Sequence, residues 1–221
     1  MSEAFVSLED VSRAYLGGAV PVPALVHVSC QVRAGDRLAI LGPSGSGKST
    51  LLHVMGGLEA PTSGRVCWPA LGSRERLRPG QIGFVFQTTS LLPALTVLEN
   101  IELSWLLSKR DAAGARAAAE KAVELFGLVT IADKLPEEIS GGQAQRAAVG
   151  RALVCRPRVI LADEPTGQLD HTTAQRVFDE LLTAIAGTDT ALVIATHDLA
   201  LANRMDTKWH LRHGILEETD T

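Results

Sequence analysis

The chain has 221 residues, 46% of them hydrophobic and 21% charged, with a formal net charge of −4. That is the balance of one ordinary globular domain, with room for an inserted lobe, and it argues against a surface that coats nucleic acid. No apolar run reaches the ~20 residues that cross a bilayer, and the opening Met1-Ser2-Glu3-Ala4-Phe5 lacks the basic-then-apolar pattern of a secretory signal.

In chain order, residues 5–11 alternate apolar and polar, as do residues 25–32, and both predict strands. Ala34-Gly35-Asp36 predicts a tight turn into the apolar strand 37–41. A helix is expected after Gly47, carrying Leu51, Leu52, Val54 and Met55 and ended by Gly56-Gly57. Residues 64–68 and 81–86 read as strands. Residues 96–154 turn Ala- and Leu-rich and predict a helical lobe, with Asp111 as an N-cap and Gly127 just past a helix end. Residues 158–163 return to strand and 173–186 to helix. Residues 191–196 form a continuous apolar run, the mark of a strand buried on both faces of a parallel sheet. Strands alternating with helices at both ends predict an α/β core.

Gly42-Pro43-Ser44-Gly45-Ser46-Gly47-Lys48-Ser49-Thr50 fits a phosphate-binding loop between strand and helix. Its glycines let consecutive N–H groups turn toward phosphate oxygens, and the helix start adds partial positive charge. Lys48 suits the β- and γ-phosphates and Ser49 a Mg²⁺ ion. The apolar strand ending in Asp163-Glu164 supplies two acids with separate tasks. Asp163, carried on a strand expected beside the phosphate-loop strand, suits the Mg²⁺ shell. Glu164 suits polarisation of a water attacking the γ-phosphate. Ser140-Gly141-Gly142-Gln143 opens a helix with Ser140 as its cap, a second glycine-rich anion site. One nucleotide has no use for two such sites in one chain, whereas two chains can exchange them.

These motifs together resemble the nucleotide-binding subunit of ABC transporters over nearly the whole chain. The Walker A loop is residues 42–50. The Q-loop glutamine is Gln87, in Phe84-Val85-Phe86-Gln87. The signature is Ile139-Ser140-Gly141-Gly142-Gln143, the Walker B strand ends at Asp163-Glu164, the D-loop is Leu169-Asp170, and the switch histidine is His197. Tyr15, the only tyrosine, stands where the family stacks an aromatic on adenine; Gly17 and Gly18 after it suggest a loop. The resemblance implies a P-loop NTPase of RecA-like core with an antiparallel β lobe and an inserted α-helical signature lobe. It also implies one cassette over 1–221, divided into a core with β lobe at 1–95 and 155–221 and a helical lobe at about 96–154.

ATP and Mg²⁺ are the implied cofactors, with Ser49, Gln87 and Asp163 near the metal and Glu164, His197, Gln87 and Lys48 in catalysis. Dimerisation on ATP would set Ser140, Gly141, Gly142 and Gln143 against the other copy's ATP, with Asp170 in the D-loop. Leu91-Leu92-Pro93, Leu95-Thr96-Val97, Glu99-Asn100 and residues 162–170 narrow the resemblance to the ATPases of lipoprotein-releasing and macrolide-exporting systems. That implies a separate permease with an extracytoplasmic domain, no nucleic-acid partner, and a place on the cytoplasmic face of the membrane. The same cassette would also serve a regulator of a cell-wall hydrolase; a soluble DNA- or ribosome-linked cassette fits less well, with no coiled-coil insertion and a negative charge.

Several residues depart from the family pattern: Ile139 in the signature, Gln168 before the D-loop, Pro79-Gly80, and the segment 205–214, where Trp209, His210 and His213 leave the last hairpin's register open. Leu98 is expected in the core. Leu92 and Leu95 are expected at a groove for a permease helix. Cys30, Cys67 and Cys155, without CxxC spacing, are expected as small buried hydrophobes in a reducing cytosol.

Overall fold

The computed structural model describes residues 3–16, 21–109, 111–167 and 169–219. Gly17, Gly18 and Gln168 lie outside them. Nine strands and six α-helices are described: β1 (Val6–Leu16), β2 (Pro21–Val32), β3 (Arg37–Leu41), α1 (Lys48–Met55), β4 (Ser63–Cys67), β5 (Ile82–Val85), α2 (Val97–Lys109), α3 (Ala112–Leu125), α4 (Gly141–Leu153), β6 (Val159–Asp163), α5 (His171–Ile185), β7 (Ala191–Thr196), α6 (Leu199–Ala202), β8 (Thr207–Arg212) and β9 (Ile215–Thr219). They fall into two compact units, residues 1–77, 161–163 and 191–221, and residues 78–160 and 164–190.

The first unit holds two sheets. One is antiparallel, in order β2-β1-β4. Its alternating sequence buries Val6, Leu8, Val11, Val28 and Val32. The strands bulge at Asp10 and His27, whose φ angles are 53° and 51°, and side chains bridge the bulges. Ser29 accepts from the Asp10 N–H at 2.9 Å, and Ser12 accepts from the His27 N–H at 3.0 Å. The other sheet runs β6-β7-β3-β8-β9, with the last three residues of β6 in this unit. Here β3 is parallel to both β7 and β8. Ala39, Ile40 and all of β7 are buried, which is why these strands read as unbroken apolar runs. The β8–β9 hairpin closes at His213 and Gly214, with φ of 50° and 78°, the two positive values a two-residue hairpin favours.

The second unit packs α2, α3, α4 and α5 with β5. Ala144, Ala147, Ala148 and Ala152 are buried on α4, so its neighbours approach closely. A side chain at Gly150 would press on Phe126 and Ile101, both fully buried. Asp111 caps α3, accepting from the Gly114 N–H at 3.1 Å, and Gly127 leaves that helix end with φ 60°. Helix α5 begins at His171 rather than at the expected residue 173, because Asp170 caps it by accepting from the Thr173 N–H at 3.1 Å.

Candidate active site

The phosphate loop leaves β3 at Leu41 and enters α1 at Lys48. Gly45 and Gly47 hold φ of 77° and 104°, open to glycine at little cost. A Cβ on Gly47 would collide with the Ala24 carbonyl, and one on Gly42 with the Leu211 carbonyl. The β8–β9 turn braces the loop, since Gly214 donates to the Ser46 carbonyl at 3.1 Å and accepts from the Val26 N–H at 2.8 Å.

Three features equip the loop for phosphate. Gly47 provides no side-chain cap, so the first N–H groups of α1 keep their anion-binding capacity. Lys48, 9% exposed, donates from Nζ to the carbonyls of Gly42 and Pro43 at 2.8 and 3.1 Å, folding its ammonium back over the loop. The Ser46 hydroxyl is buried without a hydrogen-bond partner, a donor left for a ligand. Ser49 is exposed one residue after Lys48.

Asp163 ends β6 with 6% exposure. Its strand is not beside the phosphate-loop strand as expected, because β7 lies between β6 and β3. The intervening strand brings His197. Leu41 pairs with Thr196, so Gly42 and His197 leave neighbouring parallel strands at one level. The turn after β7 is fixed by the Thr196 hydroxyl, which accepts from the Asp198 N–H at 3.0 Å, and by Asp198, which caps α6. His197 is exposed.

Tyr15 lies within β1, opposite Val22, rather than in the expected loop; the glycines that suggested a loop follow the strand end. Its ring is 37% exposed. Its hydroxyl donates to Glu59 at 2.6 Å and lies 3.2 Å from the Thr50 hydroxyl.

In the second unit, Gln87 is exposed two residues beyond β5, after Phe84 and Phe86, whose rings stack at 4.5 Å. The loop that follows is firmly held. Asn100, fully buried, accepts from the Leu92 N–H at 2.7 Å and donates to the carbonyls of Leu92, Leu95 and Thr96. Arg151 donates to the Ser90 carbonyl and hydroxyl, each at 2.6 Å. Leu98 is buried as expected, while Leu92 stays 44% exposed.

Ser140 caps α4 as expected. Its hydroxyl accepts from the Gln143 N–H at 3.3 Å, and the Gln143 side chain accepts from the Ser140 N–H at 2.8 Å, a reciprocal capping box. Gly141 is exposed with open space where a Cβ would stand. Glu164, 9% exposed, turns with φ 44°, so the chain changes direction immediately after Asp163. Gly167 donates to the Glu164 carbonyl at 3.0 Å. The buried Gln145 of α4 donates to the Pro165 carbonyl at 2.7 Å. Hydrogen bonds from the Thr173 side chain and backbone hold the Asp170 carboxyl below its ordinary pKa.

Sequence reasoning missed Glu59, Gln145 and Arg151, and it named Asn100 only within a motif, without its hold on the loop. Their partners come from remote segments or from backbone groups that no short pattern displays. Cys30 and Cys155 are buried free thiols, and Cys67 is half-buried.

A glycine-rich loop between a buried parallel strand and a helix, in a sheet with acidic and histidine residues at neighbouring strand ends, defines a P-loop nucleoside triphosphatase. The ABC transporter family model matches residues 25–167. The lipoprotein-releasing system ATP-binding protein LolD of Legionella pneumophila (strain Paris) is 43% identical, with 98% of each chain covered. LolD of Novosphingobium aromaticivorans is 42% identical, covering 98% of this chain and all of that one. Among solved structures, the dimeric ATP-binding cassette MJ0796 bound to ADP and Pi matches with a TM-score of 0.87 and 34% identity, over 96% of this chain and 98% of that one. The chain therefore belongs to the ABC transporter family, as its ATP-binding and ATP-hydrolysing cassette.

Proposed function

We propose that this cassette powers release or export of a substrate through a separate membrane permease with an extracytoplasmic domain, on whose cytoplasmic face it sits. Likeness to lipoprotein-releasing ATPases over nearly the whole chain supports the release reading. The observation that carries the permease contact is the loop after Gln87, which Asn100 and Arg151 hold while Leu92 is left exposed. A rigid loop presenting apolar groups suits capture of a short helix.

In this reading, Tyr15 stacks on adenine, and residues 42–50 wrap the phosphates. Lys48 exchanges its loop carbonyls for the β- and γ-phosphate oxygens. Glu164 takes the proton of the attacking water. His197 holds the γ-phosphate, countering charge that builds in the transition state. Ser49, Asp163 and Gln87 supply the hard oxygen donors that would hold Mg²⁺, which would neutralise charge on the phosphate oxygens. The exposed Ser49 hydroxyl and the Asp163 carboxylate suit that ion, which needs few protein ligands when phosphates supply the rest.

Two copies would sandwich two nucleotides, each copy offering Ser140, Gly141, Gly142 and Gln143 to the ATP on the other, with Asp170 beside the shared face. The cassette MJ0796, dimeric and bound to ADP and Pi, supports the pairing of two copies. Loss of the γ-phosphate would remove the bridge and let the copies part.

The test is co-purification. Tagged and recovered from the membranes of its own cells, the wild-type chain brings down an integral membrane permease, whereas Leu92→Asp or Leu95→Asp is lost from that complex while still binding ATP. Unchanged recovery of both variants would contradict the docking loop.

A further inference from the structure

Glu59 follows α1 and precedes β4, outside every motif assigned above. Its carboxylate nevertheless gathers three side chains from two other segments. Oε2 accepts from the Tyr15 hydroxyl at 2.6 Å and from Arg13 Nε at 3.1 Å. Oε1 lies 3.3 Å from His53 Nδ1, on α1. The Arg13 guanidinium carbon also stands 4.7 Å from the centroid of the Tyr15 ring, within cation–π range. The hydroxyl of Tyr15 is 3.2 Å from that of Thr50, a residue of the phosphate-loop motif.

This arrangement constrains the ring at two places. The hydroxyl is tied to a carboxylate that is itself anchored to Arg13 and α1, which fixes the ring's tip. The guanidinium occupies one face. A stacking ligand is therefore directed to the other face, at a fixed distance from the helix that binds the phosphates. An untethered aromatic must lose rotamer freedom when a base stacks on it; a tethered one has lost it already.

We propose that Glu59 is a positioning residue for nucleotide binding, holding Tyr15, with Arg13, in the pose that receives the base. The proposal rests on the reading of Tyr15 as the stacking residue. Glu59 acts through Tyr15 and touches no reacting atom, so its removal is felt in ATP affinity and KM and not in kcat.

The experiment uses the full chain with Mg-ATP, reading Kd by calorimetry and KM and kcat by phosphate release. Glu59→Ala and Tyr15→Phe each weaken ATP binding roughly three- to tenfold, and Glu59→Ala keeps kcat within about twofold. The double variant binds no more weakly than Glu59→Ala alone, because the two remove one link. Glu59→Gln, which keeps an acceptor for the Tyr15 hydroxyl, recovers part of the loss. Tyr15→Phe and Glu59→Gln are close to isosteric, so they remain informative if Glu59→Ala fails to fold.

Tyr15→Ala separates the two readings. If it leaves ATP affinity intact, base stacking is wrong and this proposal falls with it. If Tyr15→Ala weakens binding but Tyr15→Phe and the Glu59 variants do not, stacking stands and the Glu59 tether is overturned. Losses that multiply in the double variant, or a fall in kcat at constant KM, would also overturn the tether.

Discussion

Glu59 and Glu164 are both carboxylates, and they are proposed to have different tasks. Burial raises the Glu59 carboxyl pKa, but hydrogen bonds from Tyr15, His53 and Arg13 and the Arg13 charge outweigh it, and the net shift is downward. A carboxyl with a lowered folded pKa stabilises the fold above its ordinary unfolded range and loses that contribution as pH falls through the folded value. The stability difference between wild type and Glu59→Gln is therefore expected in full at pH 7 and shrinks as thermal melts are taken down below the ordinary carboxylate range. A difference constant with pH would contradict it. Glu164 stands out in the sequence by its place after Asp163 at the end of an apolar strand. Its left-handed backbone does not, because nothing in Asp-Glu-Pro announces a φ of 44°. Glu59 was illegible for a simpler reason: Arg13 and Tyr15 lie 46 and 44 residues away.

Among elements, what is local in sequence was read well, and what depends on strand order was not. The limits of β3 and β7, the start of α1 and the caps at Asp111 and Ser140 follow from apolar runs and capping residues alone. The place of β7 between β6 and β3 does not, since adjacency in a sheet is set by crossovers rather than by the strands themselves. The last hairpin was ambiguous because His213 takes a left-handed conformation that histidine adopts less readily than glycine or asparagine. The loop after Gln87 shows how one side chain can organise a segment. Asn100→Ala removes the acceptor for the Leu92 N–H and the donor to three carbonyls. It should cost about 2–3 kcal/mol, seen as a melting temperature lower by several degrees. An unchanged melt would mean that the loop holds itself.

For the whole molecule, the central claim is that one chain carries two anion sites serving two different nucleotides. The phosphate loop has an uncapped helix start, a buried unpartnered Ser46 hydroxyl, and a lysine held on loop carbonyls. The start of α4 has Ser140 and Gln143 engaged in its own capping box with Gly141 left open. The helix cap was legible from Ser140-Gly141-Gly142-Gln143; its use as an anion site by another copy is the proposal, argued from the fact that a single nucleotide would leave it idle. The direct measurement is light scattering on purified Glu164→Gln with and without ATP and Mg²⁺. If Glu164 takes the water's proton as proposed, its loss should slow turnover by about 10²- to 10⁴-fold and trap the nucleotide. The mass should then double on adding ATP, and Ser140→Arg in the same background should abolish the doubling. A chain that binds ATP yet stays monomeric, or one that dimerises equally well with Ser140→Arg, would contradict the shared site.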